Sequence, residues 1–147
     1  MDKRILVSLD GSEMSEQALP VAIEHAKIFE SELYLLRVIN PLAKSYRTGL
    51  VTVSSIENAE DELRVLANDY LENIANKVRE SGIPVKVFSL IGVPYKEIIR
   101  FSEQEQVDFI IMSTRGESGI SRWLLGSITD HVIRGSRIPV IVVPATE

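Results

Sequence analysis

The stretch "DFIIMSTRGESGISRWLLGS", residues 108–127, joins a short apolar run to a segment rich in glycine, arginine and hydroxyl side chains. The run Asp108–Met112 has the length and composition of a buried β-strand. From Ser113 to Ser127 there are three glycines and two arginines, whereas a plain connector needs only one or two turn residues. We interpret this segment as one that brings its backbone close to a ligand.

Hydrophobic periodicity predicts the other elements. Aliphatic runs predict four more strands, at Arg4–Leu9, Glu32–Ile39, Val85–Ile91 and Pro139–Val143. Helical spacing predicts four helices: from Glu13 to about Glu30 with a defect at Pro20, from Ala59 to Val78, from Pro94 to about Glu105, and from Leu125 to Arg134. Gly82 and Gly135 end the second and fourth of these helices. The aperiodic segment Asn40–Ser55 predicts a long loop.

The alternation of strands and helices predicts an α/β fold with a doubly wound, open, five-stranded parallel sheet and helices on both faces. We expect the strand order 3-2-1-4-5 with right-handed crossovers. The order then reverses between strands 1 and 4, and ligands of such sheets bind at the carboxyl ends of the strands at that point. The residues predicted there are Leu9-Asp10-Gly11 and the stretch from Ser113 to Gly116.

Composition narrows the classes of function. The chain has 147 residues, 45% of them hydrophobic, and a net charge of −5, which predicts one domain over residues 1–147. It has no cysteine, which excludes disulfides, thiolate catalysis and cysteine-ligated metals, and only His25 and His131 are available as imidazole ligands. It has no basic stripe and no apolar run near the roughly 20 residues of a membrane span. We expect a cytoplasmic protein without a signal peptide, a nucleic-acid partner or a membrane partner.

The chemistry of the glycine-rich segment suits phosphate. Ser127 is the predicted N-cap of the following helix, with Asp130 three residues later, and helix N-termini offer unpaired N–H groups and positive potential. Arg115 and Arg122 supply charge, and we expect Gly126 to serve ligand approach rather than core packing. Asp10 is an acceptor suited to ribose hydroxyls or to a magnesium ion.

The whole chain resembles the universal stress protein family. The resemblance lies in "RILVSLDGSEMSEQAL", "LRVIN", "GVPYKEII", "VDFIIMSTRGESGISRWLLGS" and "IPVIVVP". The ATP-binding branch of that family carries a glycine, two residues, a second glycine, nine residues, and then glycine with serine or threonine. Here the second glycine is Gly116 and Gly126-Ser127 closes the motif, while Ser113 replaces the first glycine.

The resemblance implies an ATP site with Mg²⁺ or Mn²⁺ accompanying the nucleotide. Carried over by position, Asp10 contacts the ribose and possible metal, and the Val38 backbone meets the adenine edge. The phosphates are held by Gly116, Gly126, Ser127 and the N–H of Ile128. Leu9 and Ser113 complete the predicted site, the Ser113 hydroxyl reaching phosphate or ribose, and we add Arg115 from its charge and position.

Simpler interpretations stay open at this point. The glycines could be turn residues only, and Asp10 could cap the first helix. The predicted function is that of a nucleotide-binding, stress-response regulatory protein. The alternatives are a slow ATPase and a nucleotide-free member of the family. We expect no catalytic residue, because the chain has neither a P-loop of the Gly-rich Lys-Ser/Thr kind nor a histidine-rich signature near strand 1.

The last predicted strand is an exposed edge. It is an uninterrupted β-branched run, and bare edges of that kind invite pairing with another chain. The family pairs the last strands of two subunits, so the resemblance implies a homodimer. The residues of that interface are Val140, Ile141, Val142 and Val143.

Overall fold

The structure is a computed structural model, and it describes residues 3–41, 53–115 and 125–146. In the helix that begins at residue 53, the side chains are described from residue 59 onward. The strands are β1 (Lys3–Ser8), β2 (Ser31–Ile39), β3 (Val85–Ile91), β4 (Phe109–Ser113) and β5 (Val140–Val143). The helices are α1 (Glu13–Glu16), α2 (Ala18–Phe29), α3 (Val53–Arg79), α4 (Pro94–Gln104) and α5 (Ser127–Gly135). Within these residues, no helix is both long and apolar enough to cross a membrane.

The five strands form one sheet in the order β3-β2-β1-β4-β5, which confirms the predicted fold. All pairings are parallel. The central strand β1 pairs with β2 on one side, where Ser8 lies opposite Leu36, and with β4 on the other, where Val7 lies opposite Ile111. The order therefore reverses between β1 and β4, as predicted.

Successive residues of β1 enter two separate cores. Ile5 and Val7 pack with α2 and α3 on one face of the sheet, and Leu6 packs with α4 and α5 on the other. All three side chains are fully buried. Since both faces are covered, the strand has no polar side chains in alternation, and this explains its unbroken apolar run.

The helix predicted from Glu13 to Glu30 is two helices. The break is at Gln17, between α1 and α2, and not at Pro20. Pro20 is the third residue of α2, where its missing N–H has no intrahelical acceptor to lose. Helix α2 ends at Glu30, which adopts a left-handed conformation with φ of 51°.

Helix α3 begins earlier than the periodicity indicated. Its first residue is Val53, inside the loop predicted over Asn40–Ser55, and the rest of that predicted loop lies largely outside the described residues. The C-terminal end agrees with the prediction, because Gly82 has φ of +82° and donates its N–H to the Arg79 carbonyl at 2.8 Å.

Substitution of two leucines of α3 tests which face of the helix contributes to the stability of the fold. Leu71 is fully buried between α3 and the sheet, whereas Leu66 is 63% exposed. We expect Leu71→Ala to lower the free energy of unfolding by about 2–5 kcal/mol, because the cavity sits under a packed helix. Leu66→Ala, the matched control, should change it by no more than about 0.5 kcal/mol. Urea denaturation measures both, and equal losses would contradict this packing.

Candidate functional site

Three segments of the chain meet at the carboxyl edge of the sheet. Leu9 continues from β1, and its N–H donates to the Leu36 carbonyl of β2 at 2.9 Å. On the other side of β1, the Gly126 N–H donates to the Thr114 carbonyl at 2.7 Å, which brings the start of α5 to the end of β4. The turn after β1, the end of β4 and the start of α5 therefore lie at the same edge of the sheet, where the strand order reverses.

Asp10 orders the turn after β1. Its Oδ1 accepts hydrogen bonds from the Ser12 N–H, at 2.9 Å, and from the Ser12 hydroxyl. The Ser12 hydroxyl in turn accepts from the Ser15 N–H at 3.1 Å, so Ser12 is the N-cap of α1. Asp10 thus supports the first helix through Ser12 rather than capping it directly. Its predicted contact with a ribose stays a prediction.

Ser113 occupies the position of the first motif glycine and is buried at the end of β4. Its hydroxyl donates to the backbone carbonyl of Arg115, and its own carbonyl accepts from the Thr129 hydroxyl of α5 at 2.9 Å. Ser113 is not among the residues with positive φ, so the strand conformation needs no glycine here. The hydroxyl that we assigned to phosphate or ribose is engaged with the backbone of its own turn.

The segment after β5 is tied to the same edge. Ala145 donates its N–H to the Thr114 hydroxyl at 2.9 Å and accepts at its carbonyl from Arg115 Nη2 at 3.1 Å. Thr146 pairs with the Gln17 side chain, accepting from Nε2 at 2.6 Å and donating its N–H to Oε1 at 2.8 Å. We call residues 144–146 the C-terminal strap, since they join the end of β4 to the break between α1 and α2.

Arg115 is only 2% exposed. Its contact with the strap gives it a structural role, because a buried guanidinium must place its N–H groups on acceptors. The role that we predicted for Arg115, a cation facing the phosphates, stays a prediction without support from this contact.

The start of α5 corrects two predictions. Ser127 is the first residue of the helix and not its N-cap, and the helix does not begin at Leu125. The cap is Gly126, which has extended geometry and accepts the Asp130 N–H at 2.9 Å. A Cβ on Gly126 would lie 3.1 Å from the Thr114 carbonyl oxygen. A side chain at this position would therefore crowd the protein's own backbone, while the role of Gly126 in ligand approach stays a prediction.

The first turn of α5 offers N–H groups without intrahelical acceptors, as the sequence analysis predicted. Ser127 and Ile128 precede the residues whose N–H groups have intrahelical acceptors, and Ser127 is exposed. Gly116, the remaining predicted phosphate contact, lies outside the described residues. Val38 lies near the carboxyl end of β2, opposite Leu90 of β3.

Arg37 is a residue of this edge that the sequence analysis missed. Its guanidinium carbon lies 5.1 Å from the centre of the Tyr70 ring, and its Nη2 lies 3.0 Å from where a Cβ on Gly11 would be. The Tyr70 hydroxyl donates to Glu16 Oε2 at 3.0 Å. Burial, with the nearby Glu16 carboxylate, raises the pKa of Tyr70 well above its usual value, so the phenol stays neutral.

A signal for Arg37 was present in the sequence. It is the one cation in the apolar run of β2, close to the strand's carboxyl end.

The structure also bears on the predicted metal ion. Among the described residues, no group of three or more histidine, aspartate or glutamate side chains is placed to hold an ion.

Comparison with known proteins gives a consistent result. The sequence model of the universal stress protein family matches residues 1–144. The chain is 35% identical to universal stress protein MJ0531 of Methanocaldococcus jannaschii over 141 residues, which cover 96% of this chain and 81% of that protein. It is also 35% identical to MJ0577 of the same organism over 158 aligned positions, covering 97% and 95% of the two chains.

Solved structures agree with the sequence relatives. The structure of MJ0577 superposes with a TM-score of 0.80 at 33% identity, covering 100% of this chain and 99% of that one. A universal stress protein family protein from Arabidopsis thaliana, solved with AMP bound, has a TM-score of 0.70 at 16% identity and covers 98% and 92% of the two chains. At that identity the second likeness concerns the fold alone.

Proposed function

The chain belongs to the universal stress protein family, and from that premise we propose that it is a regulatory stress-response protein that binds ATP and acts as a homodimer. The observation that carries the proposal is the reversal of strand order between β1 and β4. Doubly wound sheets bind ligands there, and here it is bordered by the start of α5. Another member of the family has been solved with AMP bound, and the ligand that we propose here is of the same class.

In the proposed complex the phosphates lie at the start of α5. The N–H groups of Ser127 and Ile128 belong to the first turn, which has no intrahelical acceptors and carries the positive end of the helix dipole. The Gly126 N–H is already donated to the Thr114 carbonyl, so Gly126 contributes by position rather than by its donor. Gly116 and Ser113 complete the phosphate side as the family motif implies.

The nucleoside lies over β1 and β2. Asp10 meets the ribose beside Leu9, and the backbone of Val38 meets the adenine edge. The metal ion, Mg²⁺ or Mn²⁺, accompanies the phosphates with Asp10 as its candidate protein ligand. We assign no catalytic residue, so ATP occupancy and not ATP hydrolysis is the proposed signal.

The nucleotide-free alternative has one observation in its favour. Ser113 replaces a motif glycine, and its hydroxyl is engaged with the Arg115 carbonyl. The same bond fixes the first residues of the segment after β4, and fixed backbone donors bind phosphate with less loss of entropy. We therefore favour the nucleotide-binding function.

A negative charge at the first residue of α5 should weaken nucleotide binding without destabilising the fold. We expect Ser127→Asp to leave the thermal midpoint unchanged or slightly higher, because an acidic residue suits a helix N-terminus. The same carboxylate repels phosphate, so the affinity for Mg–ATP should fall by at least about tenfold, the equivalent of about 1.4 kcal/mol. Isothermal titration calorimetry measures the affinity.

Ser127→Ala is the matched control and should retain most of the affinity, since the proposed contacts are backbone N–H groups. An unchanged affinity in Ser127→Asp, with wild-type binding intact, would place the phosphates elsewhere.

The proposed dimer pairs the β5 strands of two copies. The Pro139 carbonyl accepts from the N–H of Ile110 in β4, and the Val143 carbonyl accepts from Thr114, the residue after β4, both at 2.9 Å. Because strand backbones alternate, Val140 and Val142 direct their N–H and carbonyl groups away from β4. This outward row is the surface that a second copy would pair with.

A proline placed in that outward row tests the dimer. We expect Val142→Pro to remove one outward donor while leaving the β4–β5 hydrogen bonds in place, and so to shift the protein toward monomer. Analytical ultracentrifugation at micromolar concentration measures the state, with Val142→Thr as a control that keeps the N–H. A wild-type protein that sediments as a monomer would refute the dimer without affecting the nucleotide site.

A further inference from the structure

We propose that Arg37 forms an anion subsite beside the ribose position, and that the ligands it selects are adenine nucleotides with an additional phosphate on the 2′ or 3′ oxygen. This inference rests on the proposed function and deepens it. It concerns a residue that neither the family motif nor the sequence analysis placed in the site.

The hydrogen-bonding state of Arg37 sets it apart from comparable arginines. In the described part of the chain, three arginines are not exposed: Arg4, Arg37 and Arg115. Arg4 donates to the Glu105 carbonyl at 2.8 Å, and Arg115 donates to the Ala145 carbonyl at 3.1 Å. The contacts of Arg37 are the face of the Tyr70 ring and the backbone at Gly11, and no acceptor among the described residues receives its N–H groups.

None of the guanidinium nitrogens of Arg37 is among the buried atoms that lack a partner, so its donors reach solvent at this edge and are open to a ligand. The carboxylates of Glu16 and Asp10, which act on the same Tyr70 side chain, accept from other donors. Glu16 accepts from the Tyr70 hydroxyl at 3.0 Å, and Asp10 Oδ1 accepts from Ser12. The fork of Arg37 thus faces solvent beside the proposed ribose position. A guanidinium binds phosphate through two parallel hydrogen bonds, so phosphate suits it.

The position of Arg37 indicates which phosphate. It lies on β2, two residues before the strand ends, and touches the turn that carries Asp10. The start of α5, where the 5′ phosphates are proposed to bind, lies beyond β1 at the end of β4. Neighbouring strands are about 4.8 Å apart, so these two anion positions are separated by about 10 Å or more.

A ribose held by Asp10 lies between the two positions. A phosphate on its 2′ or 3′ oxygen points away from the 5′ phosphates and toward β2. In dinucleotide-binding doubly wound folds an arginine near the ribose serves this same chemistry by accommodating a 2′-phosphate. With a net charge of −5, the protein needs a local cation to hold a second phosphate.

The test compares three nucleotides that differ only at the ribose: AMP, adenosine 2′,5′-bisphosphate and adenosine 3′,5′-bisphosphate. Calorimetric titration of the full chain should show at least one bisphosphate binding about tenfold more tightly than AMP, as expected for a charge-assisted hydrogen-bonded pair. Arg37→Met should abolish this preference and leave the affinity for AMP within about twofold. Arg37→Lys, which keeps the charge without the fork, should lose most of it.

Lys86→Met is the matched control. Lys86 also lies on a strand and over a tyrosine ring, with its Nζ 5.9 Å from the centre of Tyr34. Its replacement by Met removes one positive charge, as Arg37→Met does. This variant should retain the wild-type preference. Thermal unfolding of each variant checks that the fold is kept, and the lysine variant supports the conclusion if Arg37→Met fails to fold.

The outcomes separate the two proposals. If AMP and Mg–ATP bind but neither bisphosphate binds more tightly, or if Arg37→Met keeps the preference, this inference is wrong and the proposed function stands. If no adenine nucleotide binds the wild-type protein, the proposed function fails and the subsite fails with it.

Discussion

The burial of β1 on both faces determines the layout of the sheet and its helices. Ile5, Leu6 and Val7 are fully buried, two toward one core and one toward the other. A strand of this kind must be central and must have helices above and below it. Because β2 pairs with one edge of β1 and β4 pairs with the other, the order of the strands reverses between β1 and β4. The crevice at the carboxyl edge follows from that reversal.

The carboxyl edge is stabilised by contacts between segments that are far apart in the chain. Thr114 is central to them: its carbonyl accepts from Gly126, its N–H donates to Val143, and its hydroxyl accepts from Ala145. Thr114 thus contacts three segments: the start of α5, the end of β5 and the C-terminal strap. The proposed phosphate position and the proposed dimer strand are thus both in contact with Thr114.

The fold could be read from the sequence because each element carries its own signal. The apolar runs fixed the strands to within a residue or so, and the reversal between β1 and β4 followed from their alternation with helices. The site was less accessible. Ser127 is a residue type that favours the N-cap, yet Gly126 takes that position, where a Cβ would lie only 3.1 Å from the Thr114 carbonyl oxygen. Arg37 was missed because its neighbours, Gly11 in the turn after β1 and Tyr70 of α3, are distant from it in the sequence.

The central claim is that an adenine nucleotide occupies the crevice between β1 and β4. Thermal and urea unfolding of the nucleotide-stripped protein with Mg–ATP tests it most directly. A site with a dissociation constant of about 10 μM should add about 2.7 kcal/mol to the free energy of unfolding at about 1 mM ligand. A stabilisation of that size, absent with Mg²⁺ alone, is the predicted result. No change in stability with Mg–ATP at that concentration would contradict the account and favour the nucleotide-free function.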